Sequence, residues 1–351
     1  MKIIDFGDQF TRNAFQTNSQ KTFAMIKPDC FAQAGKIIQQ IENSGLAVLN
    51  LCMHQFSVGE AEEFYAEHRG KPFYENLVGF ISSGTVLGLE LMGKDAVSRW
   101  RTLLGPTNCF IARNESPESI RAMFGTEGVR NAAHGSDSVQ SAERELGLFF
   151  RKFDRNKGCF NDQLARDFTK ENMQIGQNTG VQKSSSKGGL GQSQSLGGSS
   201  SQMAIGMSCI AIKPHILKEG KAGVMLDAVF ARCAKSGLMV KAVELFNLNK
   251  DEVEEFMEVY KGVLPEYGLL VEEMKNGSLI AIMVQGAAVV QTVRKICGPH
   301  DPQIAKTLRS DSLRAEFGKD KVRNGIHCTD LEDDGILECE FFFAIMQKVG
   351  G

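Results

Sequence analysis

The feature that most constrains this 351-residue chain is that it is written twice. "KTFAMIKPD", from Lys21, is echoed by "MSCIAIKPH", from Met207, and "EEFYAEHRG", from Glu62, by "EEFMEVYKG", from Glu254. "LLGPT" pairs with "ICGPH", and "SIRAMFGTEGVRNAAH" with "SLRAEFGKDKVRNGIH". Arg101 and Arg294, Arg121 and Arg314, Asn131 and Asn324, and His134 and His327 are each 193 positions apart. Lys27 and Lys213 are 186 apart, so the second copy carries extra length behind its lysine. Residues this scattered keep a common register only in a tandem duplication. Between the copies, from Arg155 to about Gly206, the composition turns to Ser, Gly, Gln, Asn and Lys, too polar to offset its ordering entropy, which reads as a flexible linker. The expected division is a leader 1–20, domain A 21–154, linker 155–206 and domain B 207–349.

Within each copy "TFAMI" and "CIAI" have the length of buried strands, and "AGKIIQQIENSG" has helical spacing closed by glycine. "LAVLNLCMHQF" and "LMVKAVELFNL" alternate like strands, and the following Ser or Asn caps an acidic helix start. "GTVLGLELMG" and "GSLIAIMVQG" read as further strands, with a last strand expected at "LGLFFRKF" and "LECEFFFAIM". The order predicts an α+β fold: two tandem ferredoxin-like (split βαβ) domains, each an antiparallel sheet with helices packed on it.

A formal net charge of -2 supplies no general field for nucleic acid or an acidic membrane, so neither is an expected partner. Nine cysteines occur without a CxxC pair, as expected of reduced thiols in a cytosolic protein rather than a zinc ribbon or redox pair. No apolar run approaches ~18 residues, the length a membrane helix needs, and "MKIIDFGDQFTRN" has no signal-peptide core.

Two motif matches fail on inspection. "GLELMGKD" from Gly88 lacks the Ser or Thr of a phosphate loop at Asp95, and its interior looks like a strand. "DRNKGCFNDQLA" from Asp154 misplaces the glycine of a calcium loop and has Ala165 where its Glu belongs. The sharper signal is a separated set. Lys27 ends a buried strand, Arg101 precedes "LLGPT", and Arg121 sits on a helix. Each alone reads as a surface charge, and His134, in "RNAAHGSDS", as a histidine in a turn. With Thr107 and Asn131 they form a donor set suited to a polyphosphate.

"MIKPD", "GKPFY", "RTLLGPT" and "RNAAHGSDSVQSAERELGLFF" resemble the nucleoside diphosphate kinase family across each repeat. The tandem arrangement and the leader "IIDFGDQFTRN" look most like a two-kinase-domain member in which a DM10 domain precedes that leader. That member is associated with ciliary axonemes and centrosomes. The resemblance implies transfer of a γ-phosphate from a nucleoside triphosphate to a diphosphate through a phosphohistidine on His134. Ser136 and Glu145 match the pair orienting the imidazole, and Tyr65 lies near the transferred group. Arg101, Thr107 and Arg121 match phosphate ligands, and Lys27 and Asn131 match ligands of ribose and phosphate. Phe73, with Leu77 beside it, matches the aromatic under the base, so ATP and GTP are both expected to serve. Mg2+ is the implied cofactor, bridging phosphate oxygens. Gly135 is expected to let the backbone approach the phosphate.

"NCFIARNESPESI" replaces the loop that helps family members build hexamers, so an intramolecular pseudo-dimer of domains A and B is expected instead. Domain B keeps Lys213, Arg294, Arg314, Asn324, His327 and Glu338 as a vestigial site. Met257 stands in the place of Tyr65, His300 in that of Thr107, and Cys328 in that of Gly135. Weak or absent catalysis is expected there. The alternative for the whole chain is a structural component of ciliary doublet microtubules or the centrosome, with tubulin or microtubule-associated ciliary proteins as partners and the cytoplasm and cytoskeleton as its place.

Overall fold

The computed structural model describes residues 19–153 and 205–346; the leader to residue 18, the linker from 155 to 204 and the calcium-loop-like segment from Asp154 lie outside them. Strands β1 (Ser19–Ile26), β2 (Ala47–His54), β3 (Val86–Lys94) and β4 (Ala133–Gly135) lie in the spatial order β4-β1-β3-β2. Strands β5 (Ile205–Ile212), β6 (Met239–Phe246), β7 (Leu279–Ala287) and β8 (Ile326–Cys328) repeat that order in domain B. Every strand pairing is antiparallel, as the ferredoxin-like reading requires. β5 starts two residues inside the segment read as linker. Ser57 and Asn249 form reciprocal capping boxes with Glu60 and Glu252, which fix where the helices after β2 and β6 begin.

One sequence expectation fails. "LGLFFRKF" and "LECEFFFAIM" are not strands: helix Val139–Gly147 runs on into a π-wound turn Leu148–Lys152, and helix Asp334–Glu340 into Phe341–Met346. The buried residues of the first are Ala142, Glu145 and Phe149, spaced by three and four, which is a helical period. The fourth strand is instead the short segment that carries His134 or His327.

β2 lies beside β6, with Cys52 opposite Glu244, so the two domains form one eight-stranded sheet. On one face of it helix Ala34–Asn43 crosses helix Ala222–Lys235. Ile37, Ile38 and Ile41 from the first and Met225, Leu226 and Val229 from the second are buried in one continuous core. Each such side chain contributes about 1.5–3 kcal/mol relative to exposure. Phe31 stacks on Phe230 at 5.5 Å. The backbone amides of Ala222 and Gly223 donate to the Glu42 carboxylate at 2.9 and 3.0 Å, so domain A caps a helix of domain B. The expected intramolecular pairing is thus formed by strand, helix and cap together.

The helix crossing is tight because both helices present glycine. A Cβ on Gly35 would lie 2.3 Å from the Asp227 amide nitrogen, and one on Gly223 would lie 2.3 Å from that of Gln39. Backbone cannot yield as a flexible side chain does. Gly223→Ala is therefore expected to lower stability by about 1–3 kcal/mol, read as a fall in Tm together with a larger radius in solution scattering. An unchanged Tm and radius would show that the crossing is looser than described.

Candidate active site

β4 pairs with the end of β1 so that His134 lies opposite Met25. The His134 ring packs among the rings of Phe23, Phe64 and Tyr65, at centroid distances of 6.1, 5.5 and 5.6 Å. Trp100 Nε1 donates to the His134 carbonyl oxygen at 3.2 Å, holding the strand from the other face. Helix Val139–Gly147, which follows β4, brings Glu145 back to the ring, where Nε2 lies 2.9 Å from Glu145 Oε2. Ser136 Oγ donates to the same oxygen at 2.8 Å. Burial pushes the Glu145 carboxyl up, but the His134 ring and the Ser136 hydroxyl outweigh it and hold the group below its ordinary value. An ionised carboxylate only accepts, so Nε2 carries the proton and Nδ1 keeps the lone pair.

Around this ring lie the cationic and polar groups singled out in the sequence. Lys27, buried at the end of β1, donates from Nζ to Asn131 Oδ1 at 2.7 Å and to the Val129 carbonyl at 3.1 Å. Asn131 Nδ2 donates in turn to the Thr107 carbonyl at 3.2 Å. Burial first, and the Arg121 charge second, lower the Lys27 amine to about 8. Arg121 donates to the carbonyls of Gly105 and Ala133 at 2.9 and 3.3 Å, while its buried Nε has no partner. The Tyr65 hydroxyl is likewise buried without a partner, and burial, then Glu145, raises its pKa, so it stays an O–H donor. Arg101 is exposed on its helix. Phe73 is 43% exposed at the helix start Tyr74–Ser82, with His68 edge-on at 5.6 Å, and Leu77 is buried one turn further on.

The reading of Gly135 needs correction. Successive residues of a strand face opposite sides, so the residue after His134 points away from the cleft. A Cβ on Gly135 would lie 2.4 Å from Trp100 Nε1 and 2.9 Å from Leu104 Cδ1, so the glycine makes room for the tryptophan rather than for a phosphate. In domain B the register puts Val293 and Cys297 at those two positions. The smaller side chains admit Cys328, which is buried in the shared core with Arg314 Nη2 3.7 Å from its sulfur. The exchange of glycine for cysteine is compensated packing, not damage beside the histidine.

Sequence reasoning also missed Asp29. Ala132, just before β4, has φ 69, a left-handed conformation costly for a residue with a Cβ. Asp29 Oδ2 accepts from the Ala132 amide at 3.1 Å, and the Lys27 amide donates to the Ala132 carbonyl at 2.9 Å. Domain B has Gly325 there, at φ 88, where glycine is unstrained. The residue matching Asp29 is then free to become His215, which pairs with Glu273 at 2.7 Å. The paired changes KPD to KPH and RNAA to RNGI were the available signal.

Domain B builds the same frame. The His327 ring lies 3.0 and 3.1 Å from the two Glu338 oxygens, and Thr329 takes the place of Ser136. Burial opposes, but Glu338 outweighs it and raises the His327 pKa, which disfavours the neutral ring. Lys213, Arg294, Arg314, Asn324 and His327 line one cavity of about 730 Å³ with Met257 and His300. Burial, then Arg314, lowers Lys213 to about 7, and the same two causes lower His300 to about 4. Among the described residues no group of three His, Cys, Asp or Glu side chains is placed to hold a metal. No described helix is long and apolar enough to cross a membrane.

Fold and site together define a nucleotide-kinase-type protein of two fused ferredoxin-like domains, each with a carboxylate-backed histidine on an edge strand. The comparisons with known proteins agree. The profile described as "Nucleoside diphosphate kinase" matches residues 20–155 and 207–347. "Nucleoside diphosphate kinase homolog 7" of Rattus norvegicus is 41% identical over 99% of this chain and 76% of its own length. "Nucleoside diphosphate kinase" of Desulforamulus reducens is 44% identical over 38% of this chain and 88% of its own. A crystal structure of the Aquifex aeolicus nucleoside diphosphate kinase, 40% identical, covers 38% of this chain and 96% of that one, with a TM-score of 0.38. The chain belongs to the nucleoside diphosphate kinase family.

The Asp29–Ala132 coupling is directly testable. Asp29→Ala is expected to destabilise the protein by about 1 kcal/mol or more, because it leaves a strained amide unheld. Adding Ala132→Gly should restore most of that loss in urea unfolding. Strictly additive effects in the double variant would show that the two residues are not linked.

Proposed function

We propose that domain A is a working nucleoside diphosphate kinase, with His134 as the residue that carries the phosphoryl group. The observation that supports this best is the His134–Glu145–Ser136 arrangement, which commits the ring proton to Nε2 and leaves Nδ1 as the nucleophile. Nδ1 attacks the γ-phosphorus, the bond from that phosphorus to the bridging oxygen breaks, and the diphosphate leaves with the oxygen. A second diphosphate then attacks the phosphohistidine with a terminal oxygen, and the N–P electron pair returns to the ring. Glu145 stabilises the ring cation of the phosphorylated state. Arg121, Arg101 and Lys27 neutralise phosphate charge, and the Tyr65 O–H, otherwise unpartnered, donates to the group in transit. Thr107 adds a hydroxyl to the phosphates, and Asn131 binds the ribose. Phe73 offers an exposed ring to the base, and stacking tolerates any base, so ATP and GTP both serve. Mg2+ bound to the nucleotide supplies further charge neutralisation when present. Domain B is weak or inactive in this reading, because Met257 replaces the Tyr65 hydroxyl.

With γ-32P-labelled ATP the chain is expected to take up acid-labile, heat-labile label on the peptide holding His134. His134→Ala should abolish that label, and Glu145→Gln should slow it by about 10²-fold. Equal labelling of wild type and His134→Ala would sink the proposal.

The Lys27 amine carries its charge below about 8 and loses it above. Affinity for a nucleoside diphosphate is therefore expected to fall by about tenfold between pH 7 and pH 9, the midpoint moving upward as bound phosphate favours the charged form. A flat calorimetric profile over that range would remove Lys27 from the binding set.

A second reading, docking on ciliary or centrosomal microtubules, is favoured by one observation. The segment that departs from the family pattern forms helix Cys109–Glu115 and exposes Phe110 (60%) and Ile111 (44%). Co-sedimentation with stabilised microtubules, lost on Phe110→Ser, is the corresponding test.

A further inference from the structure

The two clefts treat corresponding acids differently. In domain A, Asp137 accepts from Ser141 Oγ, which also exchanges a hydrogen bond with Ser138, so the carboxylate is held at the start of the following helix. In domain B, 193 positions on, those two serines are Leu331 and Asp334. The hydroxyls that would hold Asp330 are gone, and a like charge stands in place of one of them. His68 is also exchanged, for Tyr260, 192 positions on. Asp330 lines the domain B cleft. Tyr260 Oη donates to Asp330 Oδ2 at 2.8 Å, Arg294 Nη1 donates to the Asp330 carbonyl oxygen, and Arg294 Nη2 lies 3.8 Å from Asp330 Oδ1. The Tyr260 ring stands edge-on to His327 at 6.1 Å, so this knot sits over the histidine. Burial, then the Asp330 carboxylate, raises the Tyr260 pKa, which keeps the phenol a donor.

We infer that Asp330 is a specificity-determining residue: it occupies Arg294 as an internal anion and so holds the affinity of the domain B cleft for nucleoside polyphosphates below that of domain A. The inference rests on reading Arg294 as the counterpart of the phosphate ligand Arg101. A carboxylate competes with phosphate for guanidinium because both are planar-edged or tetrahedral anions that accept from the same N–H fork. Tyr260 adds the second anchor, which a solvent-exposed ion pair needs if it is to persist. A polyphosphate must displace this knot before Arg294 can reach it, whereas in domain A Asp137 acts on Arg101 only at longer range, without a direct bond.

Calorimetric titration of ADP into the full chain tests this. Asp330→Asn, which keeps the side-chain shape and removes the charge, is expected to tighten the weaker of two sites by about fivefold and leave the stronger one unchanged. Tyr260→Phe, which loses only the hydroxyl, should act in the same direction by a smaller factor, and it guards against a folding defect in the first variant. Arg314→Ala identifies the site: the affinity gained in Asp330→Asn should be lost when the two are combined. Unchanged weaker-site affinity in both Asp330→Asn and Tyr260→Phe overturns the inference. If that weaker site is still lost with Arg314→Ala, domain B remains a phosphate cleft and only the role of Asp330 fails. No second site in any of these proteins overturns both.

Discussion

The pairing of three residues at the edge of the sheet, Ala133–Gly135 against Ala24–Ile26, is the constraint on which the rest of the site depends. It is short, so it gains little from its own hydrogen bonds, yet it decides which way every neighbouring side chain points. With period two, His134 goes to the face of Phe23 and Phe64, while Ala133 and Gly135 go to the face of Trp100. A slip of one residue would bury the histidine and expose the glycine. Three fixings prevent it: the left-handed turn at Ala132, the Trp100 bond to the His134 carbonyl, and Ser136 bonding across to β1. The first two lie outside the histidine's own chemistry, while Ser136 also bonds the carboxylate behind the ring, and each of the three decides its orientation.

Much of this was legible in the chain because duplication makes residues comment on one another. The 193-residue register picked out Arg101, Arg121, Asn131 and His134 before any geometry was known, and in the structure Arg121 bonds to the Ala133 carbonyl beside His134 while Asn131 bonds to the Thr107 carbonyl. The first three strands of each unit could be read from alternation and length. What escaped was conformational. "LGLFFRKF" is apolar enough for a strand, and only its three-and-four spacing with Ala142 and Glu145 reveals a helix. Gly135 looked like a concession to phosphate because glycine beside a nucleophile often is, whereas the tryptophan it accommodates lies 35 residues away in sequence. The function of Asp29 hangs on a φ angle, which no residue identity displays.

The altered copy is more informative for having kept its frame. Cys328, Val293 and Cys297 changed together, as did His215 and Gly325, so these exchanges preserve packing and backbone rather than erode it. The differences with chemical consequence lie in the cleft: a missing phenol at Met257, an added one at Tyr260, and an acid no longer held by serines. A domain under no demand to stay folded would show losses in the first group. The pattern instead describes a unit whose scaffold is maintained while its phosphate side has diverged.

The shared sheet supplies the reason for that maintenance. β2 meets β6 at Cys52 and Glu244, so these strands lie inside the sheet, and among the described residues the outermost strands, β4 and β8, are three residues long and offer little to a stray strand. The same arrangement puts the two histidines at opposite ends of the sheet, as far from the joint as the fold allows. Domain B can therefore accept the Glu42 cap on its own helix through the Ala222 and Gly223 amides, and bury the helix that domain A presents, without either contact touching its cleft. Loss of its core would uncover Ile37, Ile38 and Ile41 of domain A, so the stability of the first unit depends on the folding of the second, whatever chemistry the second retains.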